Sequence, residues 1–296
     1  MISVVKGYLQ LMRPANLPTA AADIFAGAAI AGFIAAVPFA ISHVTTLVFL
    51  VFSSVFLYAG GVVLNDVFDY KLDVLERPER PIPSGLIPLK SAALFGSVLL
   101  LIGVFFAFYE TALSGYIAIA LAISIVLYDG FSKKYGFLGP LNMGFCRSLN
   151  LLLGMSILGS ITNWWFAIIP LVYIFAITLI SRGEVHGDNK NHIIWAGILY
   201  ALVIFGVVSV VLFETDQIMQ TIPFLVLFAY LIYKPLIGAY NSNSPSNIKT
   251  AVIAGVLSLI VLDAALATGF SVWWYGLLIL LLLPLSMLLS KLFAVT

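Results

Sequence analysis

Apolar runs of roughly 20 residues recur from one end of this sequence to the other, and that is the length an α-helix needs to cross the hydrocarbon core of a bilayer. Hydrophobic residues make up 62% of the 296 positions and charged residues 9%. The mean hydropathy of +1.12 lies far outside the range of a soluble domain. The chain is thereby confined to one fold class, an all-α, polytopic transmembrane helical bundle of nine or ten spans. The expected spans lie near residues 16–36, 44–66, 91–109, 112–129, 139–159, 164–182, 193–213, 221–239, 250–269 and 272–293. Only residues 269–271 separate the last two, so a hairpin or one re-entrant pair would reduce the count to nine. Lys6 and Arg13 precede a first apolar run too long for the core of a cleaved signal peptide, and further spans follow it. It reads as a retained helix, and residues 1–296 as a single transmembrane domain.

Charge orients the bundle. With a cytoplasmic N-terminus, the outer connections hold His43, Glu110, Glu214 and Asp216 but no lysine or arginine, and all 14 basic residues fall on or near the opposite face. The expectation is an integral membrane protein with its N-terminus, its aspartate-rich loops and the polar mouth of a cavity at the cytoplasmic side. Three inner stretches carry most of the polar chemistry: NDVFDYKLDVLERPERPIPSG at 65–85, YDGFSKKYG at 128–136 and SRGEVHGDNKNH at 181–192. Each follows an even-numbered span, so the three can converge over one cavity. A net charge of +1 provides no basic field for a nucleic-acid partner. Cys146, the only cysteine, rules out an intramolecular disulfide and reads as a packed thiol.

The 65–85 stretch concentrates eight ionised side chains within residues 66–80. At helical spacing Asp66, Asp69 and Asp73 share one face, with Asn65 a turn below Asp69. Carboxylates so placed repel one another unless a cation joins them. Oxygen-only ligands suit Mg²⁺, which takes one or two carboxylates and completes its shell with water and substrate phosphate. Arg77 and Arg80 follow, and arginine presents a planar fork to phosphate oxygens. Carboxylates for a metal beside arginines for an anion read as a diphosphate site. Arg147, deeper in the fifth span with Asn142 and Asn150 on matching helical positions, is a further functional candidate, because an ionisable group in hydrocarbon is costly. Asp23 and Asp263, also within spans, are equally compatible with a structural hydrogen bond.

NDxxDxxxD followed by RxxRPxPSG resembles the first aspartate-rich motif of the UbiA superfamily of intramembrane prenyltransferases. Asn65, Asp66, Asp69, Asp73, Arg77, Arg80, Pro81, Pro83, Ser84 and Gly85 carry the match. Arg13, Pro14 and Asn16 resemble the approach to the family's first helix, Tyr128 with Lys133 its tyrosine and lysine loop, and NMGFCRSLNLLLG at 142–154 its fifth span. The resemblance implies a helical bundle around a cavity and Mg²⁺ bound on two aspartate motifs. It also implies transfer of an isoprenyl group from a prenyl diphosphate to a lipophilic acceptor among the membrane lipids. Asp66, Asp69 and Asp73 would hold Mg²⁺, and Asn65, Arg77, Arg80, Tyr128, Lys133 and Arg147 would surround the diphosphate.

The family's second motif, NDxxDxEGD, is altered here. Ser181 stands at its first aspartate, Arg182 adds a positive charge, and of the acidic positions Glu184 and Asp188 remain, a turn apart on an expected common face. These two could still seat a second metal. Alternatively, Arg182 and His186 could bind an anion directly. The variant SRGEVHGDN resembles the UbiA-like proteins of ebo-type bacterial gene clusters, which implies a bacterial inner membrane. A second reading therefore stays open beside catalysis: a non-catalytic UbiA-like protein that binds or helps to move an isoprenoid-like or amphiphilic metabolite. His186 and His192, six residues apart and without a neighbouring cysteine, do not form a transition-metal pattern.

Overall fold

The computed structural model describes residues 3–36, 41–184 and 187–293, and all regular elements among them are helical. In chain order these are α1 (Val4–Met12), α2 (Leu17–Ile30), α3 (Phe33–Ala36), α4 (Ile41–Phe68), α5 (Tyr70–Glu76), α6 (Leu89–Glu110), α7 (Ala112–Gly130), α8 (Leu138–Met155), α9 (Ile168–Ser181), α10 (Lys190–Glu214), α11 (Ile218–Asn241), α12 (Pro245–Phe270), α13 (Trp273–Leu280) and α14 (Leu282–Ser290), with short 3₁₀ turns between some of them. Local chemistry sets the starts. Thr111 Oγ1 accepts the Ser114 N–H at 3.0 Å to open α7, and Ser244 Oγ accepts the Asn247 N–H at 3.3 Å ahead of the proline that begins α12.

Nine helices among the described residues are long and apolar enough to span a bilayer, from Val44–Phe68 to Trp273–Ser290. The expected first span is not one continuous helix. Gly32, with φ +77°, follows the end of α2 and breaks the 16–36 run, so α2 has 14 residues and a length of about 21 Å, short of the hydrocarbon core. It is enclosed by protein instead, with 12 of its 14 residues buried. The last two expected spans are separate helices, divided at Ser271 and Val272. A break at Leu281 divides α13 from α14, three residues before Pro284, whose ring obstructs the Leu280 carbonyl.

Helix α2 is the axis of the bundle, packed on α4, α8 and α12. Its small residues permit this approach. A Cβ on Gly27 would come within 2.6 Å of the Leu151 carbonyl oxygen, and one on Gly154 within 2.8 Å of the Ile24 backbone. One apolar cluster, with Tyr173, Tyr200, Phe228 and Leu262, fills the space among α9 to α12. A second, with Leu50, Leu57, Leu121 and Leu153, fills the space among α4, α7 and α8. Polar side chains of the three inner stretches gather at one end of the bundle. Trp164, Trp165, Trp273 and Trp274 are exposed at the start of their helices, toward the other end, where an interfacial aromatic belt is expected.

Candidate functional site

The acidic helix terminus bends at Asp69. α4 ends at Phe68, Asp69 (φ −84°, ψ 1°) joins it to α5, and backbone bonds of 2.9 Å from Asp69 N to Asn65 O and from Asp73 N to Asp69 O carry the chain through the bend. Asp66 and Asp73 share one arginine, and Asp69 pairs with a lysine. Asp66 Oδ1 accepts from Arg13 Nη2 at 2.7 Å and from Arg80 Nη1 at 3.2 Å, and the same Arg80 nitrogen donates to Asp73 Oδ2 at 2.8 Å. Asp69 Oδ1 accepts from Lys133 Nζ at 2.6 Å. Asp66 and Asp73 are buried behind these cations, whereas Asp69 faces open space. Arg13 reaches Asp66 from a left-handed backbone (φ 47°) at the end of α1, a conformation that costs about 1 kcal/mol in a non-glycine residue.

A cavity of about 390 Å³ opens in front of this cluster. Arg13, Asn65, Asp69, Arg77 and Arg80 line its mouth on one side, and Tyr128, Asp129, Ser181 and Glu184 close the other, so the three polar stretches do converge. Leu121, Ile125, Ile174, Ile177, Val252 and Leu259 form apolar walls further in. Asp129, which sequence reasoning passed over, is 3% exposed and accepts from Asn65 Nδ2 at 2.6 Å. Its spacing of four residues from Lys133, at the end of a span, was the signal available. Asn142 fastens the loop that carries Lys133: its amide oxygen accepts from Ser132 Oγ at 2.9 Å and from the Tyr128 N–H at 3.1 Å.

The second motif departs from expectation. Glu184 and Asp188 do not share a helical face, because α9 ends at Ser181 and the chain turns through Gly187 (φ 72°) and Asp188 (φ 52°). Asn189 folds back to cap α9, donating from Nδ2 to the Ile180 carbonyl at 2.8 Å. Glu184 lines the cavity. Burial pushes its carboxyl above the usual range, and Lys249 and Arg77 draw it partly back. Asp188 and Arg182 instead line an adjoining crevice of about 570 Å³ with Lys133, Asn189 and His192. Arg182 is exposed there and donates to the Tyr135 carbonyl at 3.2 Å. His186 lies outside the described residues.

Arg147 is placed below the diphosphate cluster expected of it. Its guanidinium forms the cavity floor and is committed to other groups: Nε lies 2.7 Å from Asp23 Oδ2, Nη2 donates to the Thr19 carbonyl at 2.6 Å, and Asp263 Oδ2 is 3.9 Å away. Asn150 donates to Asp23 at 2.7 Å and accepts from Ser54 Oγ at 2.7 Å. Asp23, Arg147 and Asp263, singled out within the expected spans, thus form one buried network. Pairing of this kind is what makes charge tolerable in the membrane interior.

The chemistry of the mouth suits Mg²⁺. Asp69, Asp129 and Glu184 offer carboxylate oxygens, and Asp66 and Asp73 already converge on a single cationic nitrogen. Among the described residues no three His, Cys, Asp or Glu side chains form a ready-made metal cluster. An ion would therefore bind through one or two carboxylates and the phosphates of a ligand, as Mg²⁺ characteristically does.

The UbiA prenyltransferase family matches residues 25–194. The digeranylgeranylglyceryl phosphate synthase of Methanococcoides burtonii is 37% identical over 159 residues, covering 52% of this chain and 56% of that protein. The enzyme of the same name from Methanosarcina mazei is 36% identical over 171 residues, 54% of this chain and 57% of that protein. The matched region spans a little over half the length of these relatives. Among solved structures, a UbiA homolog from Archaeoglobus fulgidus bound to GPP and Mg²⁺ superposes with a TM-score of 0.67 at 16% identity, over 88% of this chain and 99% of that one. A structure from work on digeranylgeranylglyceryl phosphate synthase in membranes gives 0.66 at 20% identity, over 90% and 98%. With more than half its sequence matched and its helices arranged as in those homologs, this chain belongs to the UbiA prenyltransferase family.

Proposed function

We propose that this protein transfers an isoprenyl group from a prenyl diphosphate to a lipophilic acceptor within the membrane, in a Mg²⁺-dependent reaction. The observation that carries the reading is a single cavity with carboxylates and arginines at its mouth and hydrocarbon side chains along its walls. Such a cavity accommodates both ends of a prenyl diphosphate. Arg77, Arg80 and Arg13 face the leaving diphosphate, where fixed positive charge stabilises the negative charge that develops as the C–O bond breaks. Asp69 and Glu184 are the metal-facing carboxylates, and Asp66 and Asp73 hold Arg13 and Arg80 in place until a ligand arrives. Bound Mg²⁺ would supply further charge neutralisation on the diphosphate. Asp188 and Arg182, in the adjoining crevice, have no part in this assignment. The name of the curated relatives makes a prenylated glyceryl phosphate the first acceptor to test. The distribution of basic residues supports a cytoplasmic mouth.

A second reading, binding without turnover, is favoured by Ser181 in the second motif and by Asp188 outside the cavity. Purified protein in lipid nanodiscs, given Mg²⁺, a series of prenyl diphosphates and the acceptor, decides between them. Diphosphate release abolished by Asp69→Ala supports transfer. Saturable binding of the prenyl diphosphate with no release of diphosphate, with or without acceptor, would leave only the carrier reading.

A further inference from the structure

Asp129 has no part in the assignment above, although it is among the most enclosed carboxylates at the cavity mouth. It lies one residue from the end of α7, and its position is fixed twice, by burial and by the 2.6 Å bond from Asn65. Asn65 belongs to the α4 turn whose carbonyl accepts the Asp69 N–H. Between these two aspartates sits one ammonium group. Lys133 Nζ is 2.6 Å from Asp69 Oδ1 and 3.7 Å from Asp129 Oδ1, so a short movement of the flexible lysine stem exchanges one carboxylate for the other. The two aspartates are not equivalent. Asp69 side-chain exposure is 27% against 2% for Asp129. A divalent ion arriving from the cavity meets Asp69 first and competes there with Lys133.

We propose that Asp129 is a positioning residue: it takes over the Lys133 ammonium when Asp69 turns to a divalent cation, and so sets the affinity of Asp69 for the metal while holding Lys133 at the boundary between the cavity and the adjoining crevice, within reach of a diphosphate. The inference rests on the proposed diphosphate and metal site. Without a second carboxylate, displaced Lys133 would have to enter solvent or stay on Asp69 and exclude the ion. With Asp129 present, the exchange trades one ion pair for another.

The test uses Mn²⁺ as the probe, detected by electron paramagnetic resonance on the intact protein in nanodiscs without prenyl diphosphate, followed by titration with inorganic diphosphate. Asp129→Asn is expected to weaken Mn²⁺ binding about tenfold, because Lys133 then stays on Asp69. Adding Lys133→Met to that variant should restore Mn²⁺ affinity but leave binding of inorganic diphosphate impaired. A purely structural Asp129 would give no such restoration. Lys133→Met alone should tighten Mn²⁺ binding severalfold, and this arm holds even if Asp129→Asn fails to fold. Mn²⁺ affinity in Asp129→Asn within twofold of native, or a loss that Lys133→Met does not relieve, or weaker Mn²⁺ binding in Lys133→Met alone, overturns the inference. A native protein that binds neither Mn²⁺ nor diphosphate overturns the proposed function with it.

Discussion

Replacing Arg147 by methionine tests the buried network most directly. The substitution keeps the length of the side chain but removes the guanidinium that, among the described residues, pairs with Asp23, which is fully buried, and with Asp263, which is 2% exposed. The 2.7 Å contact to Asp23 and the 2.6 Å bond to Thr19 are lost, and two enclosed carboxyl groups remain without a positive partner. Breaking a buried pair from one side costs about 3–5 kcal/mol. At roughly 2–4 °C per kcal/mol for a large domain, Tm should fall by roughly 10 °C. Asp263→Asn makes the complementary change. Asp263 Oδ2 lies 3.9 Å from Arg147, beyond hydrogen-bond distance, so an amide at this position leaves the closer pair of Arg147 and Asp23 intact and should cost less than about 1 kcal/mol. Intrinsic tryptophan fluorescence during heating, with size-exclusion profiles of the same detergent-solubilised samples, measures both variants. An Arg147→Met protein within about 2 °C of native, or an Asp263→Asn protein that loses as much as Arg147→Met, would refute the argument.

Three further outcomes follow from the site geometry. Arg80→Ala removes the guanidinium shared by Asp66 and Asp73 and should weaken prenyl diphosphate binding by about 10- to 100-fold in a competition assay, with Arg80→Lys restoring only part because an ammonium lacks the planar fork. Arg182→Ala and Asp188→Ala, both in the adjoining crevice, should each change diphosphate release by less than about twofold, a surface-like effect in steady-state kinetics. Glu184 is held above the ordinary carboxylate range, so its contribution to metal affinity is present above its own pKa and should disappear on acidification sooner than that of an unperturbed glutamate at about 4.3. Mn²⁺ titrations across pH should therefore show a component that Glu184→Gln eliminates.

Some of this protein could be read directly from its residues. Repeated apolar runs dictate membrane helices because a backbone in hydrocarbon must bond to itself, and the charge-poor background made the 65–85 stretch visible as a site. Helical spacing was less dependable where the chain bends. Asp69 stands at the bend between α4 and α5, and while Asp66 and Asp73 converge on Arg80, Asp69 pairs with Lys133. Glu184 lies beyond the end of α9 at Ser181, and Asp188 has a positive φ of 52°. Periodicity likewise could not distinguish a span that faces lipid from α2, which is short and enclosed by protein, since both are simply apolar. Only the tertiary structure decided which charges meet. Arg13 with Asp66, Lys133 with Asp69, and Arg147 with Asp23 and Asp263 come from segments far apart in the chain. Their encounters depend on how close α2, α4, α8 and α12 can approach, which is set by packing among small residues such as Gly27 and Gly154 and leaves no periodic trace in the sequence.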